Sequence, residues 1–460
     1  MNCRLIAVLA ILLAFCVRST AQQAAINFAE LETTISDELK ATNIPGAAVA
    51  VVIGDRVVFA KGFGVENIET GTSVTPDTLF RIASTTKMLT AAALVALAER
   101  GKVKLDAPIG TYVKGLSPKL SRVTVHQLLS HTAGVRDGFS FNGPHDDDAL
   151  AKFVSSWNDD YFVAEPGEIF SYSNLGYALA GRVIEKVSGK PYADAMNELL
   201  FEPLGMNRST LRPIMAMTYP MAQGHDGQTS LSIVRPFADD SRFWANGGVF
   251  TSISDYSRFA IAFLNEGRID GKQVILPAGI AKLSTPYVDM PGGNADENPR
   301  HAYGLNVRDY RGVRVLQHGG LRVGFGSLVR IVPEHRFAVI ILTNKSNGLL
   351  MRSFEKATEL VVPLKPRSTP TPKQPLVITD AELKKYAGVY QNAPDYLRLE
   401  LVADGGKLFL KEVGATARSV VVKVGDNFFN AGGQEFLLIS GPNGKTKYMH
   451  IAGHALKKMS

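Results

Sequence analysis

Ser84 and Lys87 stand three residues apart in "RIASTTKMLTAAALVALAER", residues 81 to 100. A serine hydroxyl is a poor nucleophile until a neighbour takes its proton, and a lysine can do so only where burial or nearby charge lowers its pKa. On a helix these two side chains fall one turn apart, and the long apolar stretch that follows would anchor both. The pattern alone is weak. A chain of 460 residues carries about two Ser-x-x-Lys matches by chance, and a second, Ser353 to Lys356, lies inside an expected amphipathic helix. By helix grammar alone Ser84 is an N-cap or first-turn serine and Lys87 a solvated lysine.

Two more stretches carry reactive types. "GEIFSYSNLGYALAG" places Tyr172 and Asn174 on a loop entering a helix. There a tyrosine could relay protons, or simply be a half-buried aromatic beside a helix cap. Tyr-x-Asn also recurs at Tyr390 to Asn392. In "LQHGGLRVGFG" a strand is expected to end at His318-Gly319-Gly320 and resume after a turn. Adjacent glycines let backbone approach a ligand closely, and a free amide there could face a developing oxyanion; the alternative is a plain turn with a structural histidine. Other chemistry is poorly supplied. "GFSFNG" around Ser140 has Asn142 where a nucleophile elbow needs its second glycine. "HDDD", His145 to Asp148, has no second histidine at ligand spacing and reads as a solvated acidic loop. No phosphate-cradling or dinucleotide glycine loop follows a strand, so neither metal nor cofactor is expected.

These residues need a framework to hold them. "IPGAAVAVVIGDRVVFAKGFGVEN" is apolar on both sides of Gly54-Asp55 and predicts a hairpin, preceded by a helix in "FAELETTISDELKAT". From Ser84 to about residue 210 helical patterns dominate. Three β-rich runs then follow, "GVRVLQHGG", "FGSLVRIVPE" and "RFAVIILTN", with a last helix in "GLLMRSFEKATELVV". The first and last strands can therefore share one sheet, with helices on its faces. "PLKPRSTPTPKQP", residues 363–375, is a proline-rich linker, and short alternating strands with Asp-Gly-Gly, Gly-Asp and Asn-Gly turns beyond it predict a small all-β domain over 376–460, barrel or sandwich.

Both cysteines, Cys3 and Cys16, lie in "MNCRLIAVLAILLAFCVRSTAQQ". Its basic start, apolar run and small-residue Ser19-Thr20-Ala21 predict a signal peptide over 1–21, export to the periplasm or extracellular space, and a mature chain without cysteine. That apolar run is shorter than a bilayer requires, so no membrane span is expected in the mature chain. The formal charge of +7 falls by two when Arg4 and Arg18 leave with the signal. Scattered lysines and arginines favour acidic surfaces weakly and give no basis for nucleic-acid binding.

Taken in order, Ser84/Lys87, Tyr172/Asn174 and His318-Gly319-Gly320 resemble the motif series of the serine β-lactamase-like hydrolases: class C β-lactamases, penicillin-binding DD-peptidases, D-aminopeptidases and family VIII carboxylesterases. "TLFRIASTTK", "VTVHQLLSHTAGV", "FEPLGM", "GGVFTSISDYSRF" and "AYGLNV" extend the likeness over roughly residues 28 to 360. The resemblance implies an α+β fold, an antiparallel sheet flanked by helices with a mostly helical insertion, in a hydrolase domain over 22–362. It implies an acyl-enzyme on Ser84, with Lys87 as base, Tyr172 passing the proton to the leaving group, and Asn174 holding a substrate carbonyl or amide. The amides of Ser84 and Leu321 would form the oxyanion hole, His318 would line the opposite wall, Gly319 and Gly320 of the same motif would belong to the substrate-binding set, and His126 and His131 would be structural. A neutral His318 departs from the family's charged lysine, which leaves Arg314 or Arg322 to replace that charge and ranks esterase or amidase/peptidase activity above efficient β-lactamase activity. The expected substrate is a small ester, amide or peptide, cell-wall fragments included; the sequence sets no oligomeric state. The competing expectation is a weakly turning-over sensor or binding module for cell-wall fragments or a protein partner.

Overall fold

A computed structural model describes residues 26–292, 297–367 and 374–459. The expected signal peptide and the middle of the proline-rich linker lie outside the described residues. Helix α1 (Ala29–Thr42) leads into strand β1 (Gly46–Ile53), which turns at Gly54-Asp55 into β2 (Arg56–Gly64). After a mostly helical region come β3 (Val288–Asp289), β4 (Arg300–His301), β5 (Asn306–Tyr310), β6 (Val313–Arg322), β7 (Phe325–Val332) and β8 (Phe337–Thr343). They form one eight-stranded sheet in the order β2-β1-β8-β7-β6-β5-β4-β3. Strand β1 pairs antiparallel with β8 from Ala47↔Thr343 to Ile53↔Phe337. The two ends of this part of the chain thus close on each other, as the sequence pattern implied.

Why the central strands are apolar throughout follows from what covers them. Side chains alternate across a strand: Ala47, Val49 and Val51 join one core with Leu31 and Ile35 of α1 and Phe354 of α4 (Met351–Glu359), while Ala48, Ala50 and Val52 join the other with the helical region. Both faces are therefore covered. In the second core lies α2 (Thr86–Glu99), with twelve of fourteen residues buried, packed beside α3 (Asn174–Ser188). A helix with no polar face has only one stable place, the middle of a core.

Beyond the linker, eight antiparallel strands from Gly388–Gln391 to His454–Lys458 close into a barrel around Tyr390, Leu401, Phe429, Phe436 and Met449. Three details depart from the expectations. Ser84 lies in a 3-10 turn, Ala83–Thr85, just ahead of α2, and makes no helix cap. Strand β6 runs through His318-Gly319-Gly320 to Arg322, pairing with β7 to its end, instead of stopping at the glycines. The barrel is also preceded by a short helix, Asp380–Tyr386, opened by a capping box of Thr379 and Glu382 that strand patterning concealed. Among the described residues no helix is long and apolar enough to cross a membrane.

The second Ser-x-x-Lys is structural. Buried Glu38 of α1 accepts hydrogen bonds from the amides of Arg352 and Ser353, at 2.9 and 2.8 Å, and from the Ser353 hydroxyl at 2.7 Å. One carboxylate caps α4 and ties it to α1. Replacing Glu38 by Ala leaves those donors without acceptors and is expected to cost about 2–3 kcal/mol, read as a lower urea midpoint; an unchanged midpoint would contradict this assignment.

Candidate active site

Several contacts fix the turn that presents Ser84. The Thr85 hydroxyl donates to Ile82 O at 2.7 Å, the Ser327 hydroxyl of β7 donates to the same oxygen at 2.6 Å, and the Tyr256 hydroxyl donates to Thr85 O at 3.1 Å. Ala83, just before Ser84, is held at φ 47, a left-handed conformation that costs an alanine about 1–2 kcal/mol. Such strain survives only where the surroundings overdetermine it. Gly320 of β6 crosses this turn so closely that a Cβ would lie 2.9 Å from Ser84 N and 2.5 Å from Ile82 O. Glycine is needed there for approach. Past Gln317, β6 has lost its partner β5 and pairs only with β7, so the edge carrying Gly320 and Leu321 is open on one side.

Lys87 reaches Ser84 from the first turn of α2 with no solvent exposure. Its Nζ lies 3.3 Å from Ser84 Oγ, 2.8 Å from Asn174 Oδ1 and 2.9 Å from Asn246 O. Burial lowers the Lys87 pKa to about 7, against the opposing pull of the Asp137 charge. Tyr172 completes the group. Its hydroxyl hydrogen-bonds Ser84, its ring centroid is 4.7 Å from Lys87 Nζ, and burial raises its pKa above the usual phenol value despite that hydrogen bond. His318 stands across from it, ring centroids 6.3 Å apart, and donates from Nδ1 to Gly319 O at 2.6 Å. Burial, with the Lys87 and His301 charges, holds His318 at about 3, so it is neutral at pH 7.

The structure thus brings Ser84, Lys87, Tyr172, Asn174, His318, Gly320 and Leu321 together, and Gly319 follows on the same strand. Of the two arginines offered as a substitute charge, Arg314 bonds the Ser284 carbonyl, while Arg322 lines a pocket of about 110 Å³ beside Ser84. His126 bonds the Tyr303 hydroxyl and His131 accepts the Ser173 amide, both structural contacts. In the acidic loop His145 contacts Asp239 and Asp147 pairs with Arg212.

Sequence reasoning missed Asp137, Asn246 and the contacts that the barrel makes with the site. Asp137, 1 % exposed, accepts the Asn174 amide at 2.6 Å and lies 3.3 Å from Asn174 Nδ2; it thereby orients the side chain that receives Lys87. Barrel residues hold Asp137 in turn. Its own amide donates to Asn392 Oδ1 at 2.7 Å, and the Tyr396 hydroxyl bonds its carboxylate. The turn of the last barrel hairpin meets the loop before α3: Tyr172 N donates to Gly453 O at 2.8 Å, and His454 Nδ1 to Tyr172 O at 3.0 Å. Asp137 follows directly on "SHTAGVR" and Asn246 precedes "GGVF", so both sat at the margins of recognised phrases, whereas nothing local marked Asn392 or Gly453.

Comparison with known proteins gives the chain a family and its fold counterparts. A sequence model for the family described as Beta-lactamase matches residues 31–362. Penicillin-binding protein 4 of Amycolatopsis lactamdurans is 30% identical over 316 residues, 66% of this chain and 81% of that protein. Unguisins hydrolase ungD' of Aspergillus campestris is 31% identical over 335 residues, 69% of this chain and 61% of that protein. The crystal structure of SurE superposes with a TM-score of 0.79 at 25% identity, covering 94% of this chain and 98% of that one, so the likeness takes in the barrel as well as the sheet. With the family matched across the sheet, the helical region and every residue gathered at Ser84, the chain belongs to the beta-lactamase family and is a serine hydrolase.

Proposed function

We propose that the protein is an exported hydrolase of small esters, amides or peptides that works through an acyl-enzyme on Ser84. The observation that carries this reading is the hydrogen-bond count at Lys87 Nζ. A neutral amine has two N–H groups and one lone pair. The carbonyls of Asn174 and Asn246 take both N–H groups, at 2.8 and 2.9 Å, and the lone pair is left for the Ser84 hydroxyl. Lys87 is thus poised to accept the serine proton as Oγ attacks the substrate carbonyl. The resulting oxyanion is received by the amides of Ser84 and Leu321, with β6 brought close by Gly320. Tyr172, hydrogen-bonded to Ser84, relays that proton to the departing alcohol or amine, and the carbonyl–leaving-group bond breaks. Water then attacks the ester on Ser84, the same groups accept its proton, and Ser84 is released with the acid. The relatives' names, a penicillin-binding protein and an unguisins hydrolase, fit a small-molecule substrate. Export rests on the first 21 residues. A complete proton path favours turnover over a silent sensor.

Ser84→Ala is expected to abolish turnover of a short-chain p-nitrophenyl ester, a loss of about 10³-fold or more; retained activity would remove the acyl-enzyme. Tyr172→Phe is expected to lower kcat by about 10²–10⁴-fold with a smaller change in KM, the split that separates proton transfer from binding. Because the neutral amine is the active form, kcat/KM is expected to climb with pH and reach half its plateau near 7. The Asp137 charge raises the Lys87 pKa, so Asp137→Asn is expected to move this midpoint to lower pH. A pH-rate profile flat from 5 to 9 (roughly two units either side of 7), or a midpoint moved upward, would exclude Lys87 as the base.

A further inference from the structure

The pocket beside Ser84 has an electrostatic imbalance that the catalytic groups do not explain. Its walls include Phe139, Phe141 and Phe243 together with Asp240 and Arg322, next to the Ser84 and Leu321 amides. Tyr172, which serves the leaving group, is not among them. The pocket is therefore placed to receive the part of the substrate that stays on Ser84.

Three arginines and two aspartates surround its charged wall. Arg81 pairs with Asp239 at 2.7 Å, and Arg242 pairs with Asp240 at 2.5 Å. Asp239 is further occupied by the Trp244 indole N–H and by His145. Arg322 is left over. Its guanidinium donates only to the backbone carbonyls of Gly247, at 2.8 Å, and Ala238, at 3.0 Å, and its buried Nε has no partner among the described residues. Neutral carbonyls satisfy hydrogen bonds without neutralising charge, and a sheltered cation without a counter-ion is costly. Among these three arginines and two aspartates, one positive charge stays in excess. The same two carbonyls fix the guanidinium in place, with its carbon 5.6 Å from the Phe141 ring centroid. Preorganised donors of this kind suit a planar carboxylate.

We propose that Arg322 makes this pocket an anion-binding acyl subsite, so that the preferred substrate is a short ester or amide whose acyl group ends in a carboxylate, its methylenes lying against Phe139 and Phe141. This deepens, and rests on, the reading of Ser84 as the acylated residue.

The test compares mono-p-nitrophenyl glutarate with p-nitrophenyl valerate, each corrected for spontaneous hydrolysis, in the full-length protein and in Arg322→Gln and Arg322→Lys. The wild type is expected to favour the glutarate in kcat/KM by about tenfold or more. Arg322→Gln is expected to remove most of that preference while lowering valerate turnover only about threefold, and Arg322→Lys to recover part of it. Calorimetric binding of monomethyl glutarate and methyl valerate to Ser84→Ala reads the subsite without turnover, and monomethyl glutarate is expected to bind more tightly. No turnover of either ester with that binding preference intact would sink the acyl-enzyme and leave the subsite standing. Equal cleavage by the wild type with equal binding to Ser84→Ala, or a parallel loss of both esters in Arg322→Gln, would overturn the subsite, since the arginine would then only hold the wall together.

Discussion

A lysine amine cut off from solvent is the constraint on which the rest of this molecule depends. Lys87 is wholly buried, and an unpaired ammonium in such surroundings is strongly disfavoured. Among the described residues no carboxylate is in contact with Nζ. The protein offers two carbonyl oxygens and a serine hydroxyl instead, and keeps the nearest negative charge, Asp137, one side chain away behind Asn174. A carboxylate in direct contact would lock the proton on; none at all would leave Asn174 unoriented. The pKa of about 7 records this compromise.

Holding that arrangement takes both parts of the chain. The sheet delivers Gly320 and Ser327 to the turn before α2, and the helical core fixes α2 and α3 side by side. The barrel supplies the outer support: Asn392 and Tyr396 at Asp137, Gly453 and His454 at Tyr172. A small apolar cluster of Val163, Ala164, Tyr448 and Ala455 and the contact of Lys447 and Tyr448 with Glu168 weld it in place. Both Tyr172 and Asp137 are anchored by residues more than two hundred positions later in the chain.

The sequence revealed the fold where periodicity and motif order carry information. Runs such as Gly46–Ile53 and Phe337–Thr343 could only be strands covered on both faces, and the order of three weak motifs singled out Ser84 from Ser353 and Tyr172 from Tyr390. What stayed hidden depends on distant contacts. The extension of β6 past His318 needs β7 beside it, since adjacent glycines look like a turn on local grounds. Asp137 lacks any spacing signal because its partners, Asn174 and Asn392, come from separate regions. Arg322 was visible as a charge, but whether it was spent on an aspartate or left over could be learned only by pairing every neighbour.

The burial of α2 on all sides has a consequence for how such a molecule diversifies. Twelve of its residues face neighbours that already fill space, so variation along it disturbs packing before it alters chemistry. The loop carrying Phe139 and Phe141 borders the pocket beside Ser84, and the barrel turn at Gly453 meets Tyr172, yet neither belongs to a core helix. Descendants of this chain can therefore change what the cleft contacts by editing a handful of rim positions while inheriting the surroundings of Lys87 unchanged, an economy that lets a single buried amine serve many settings.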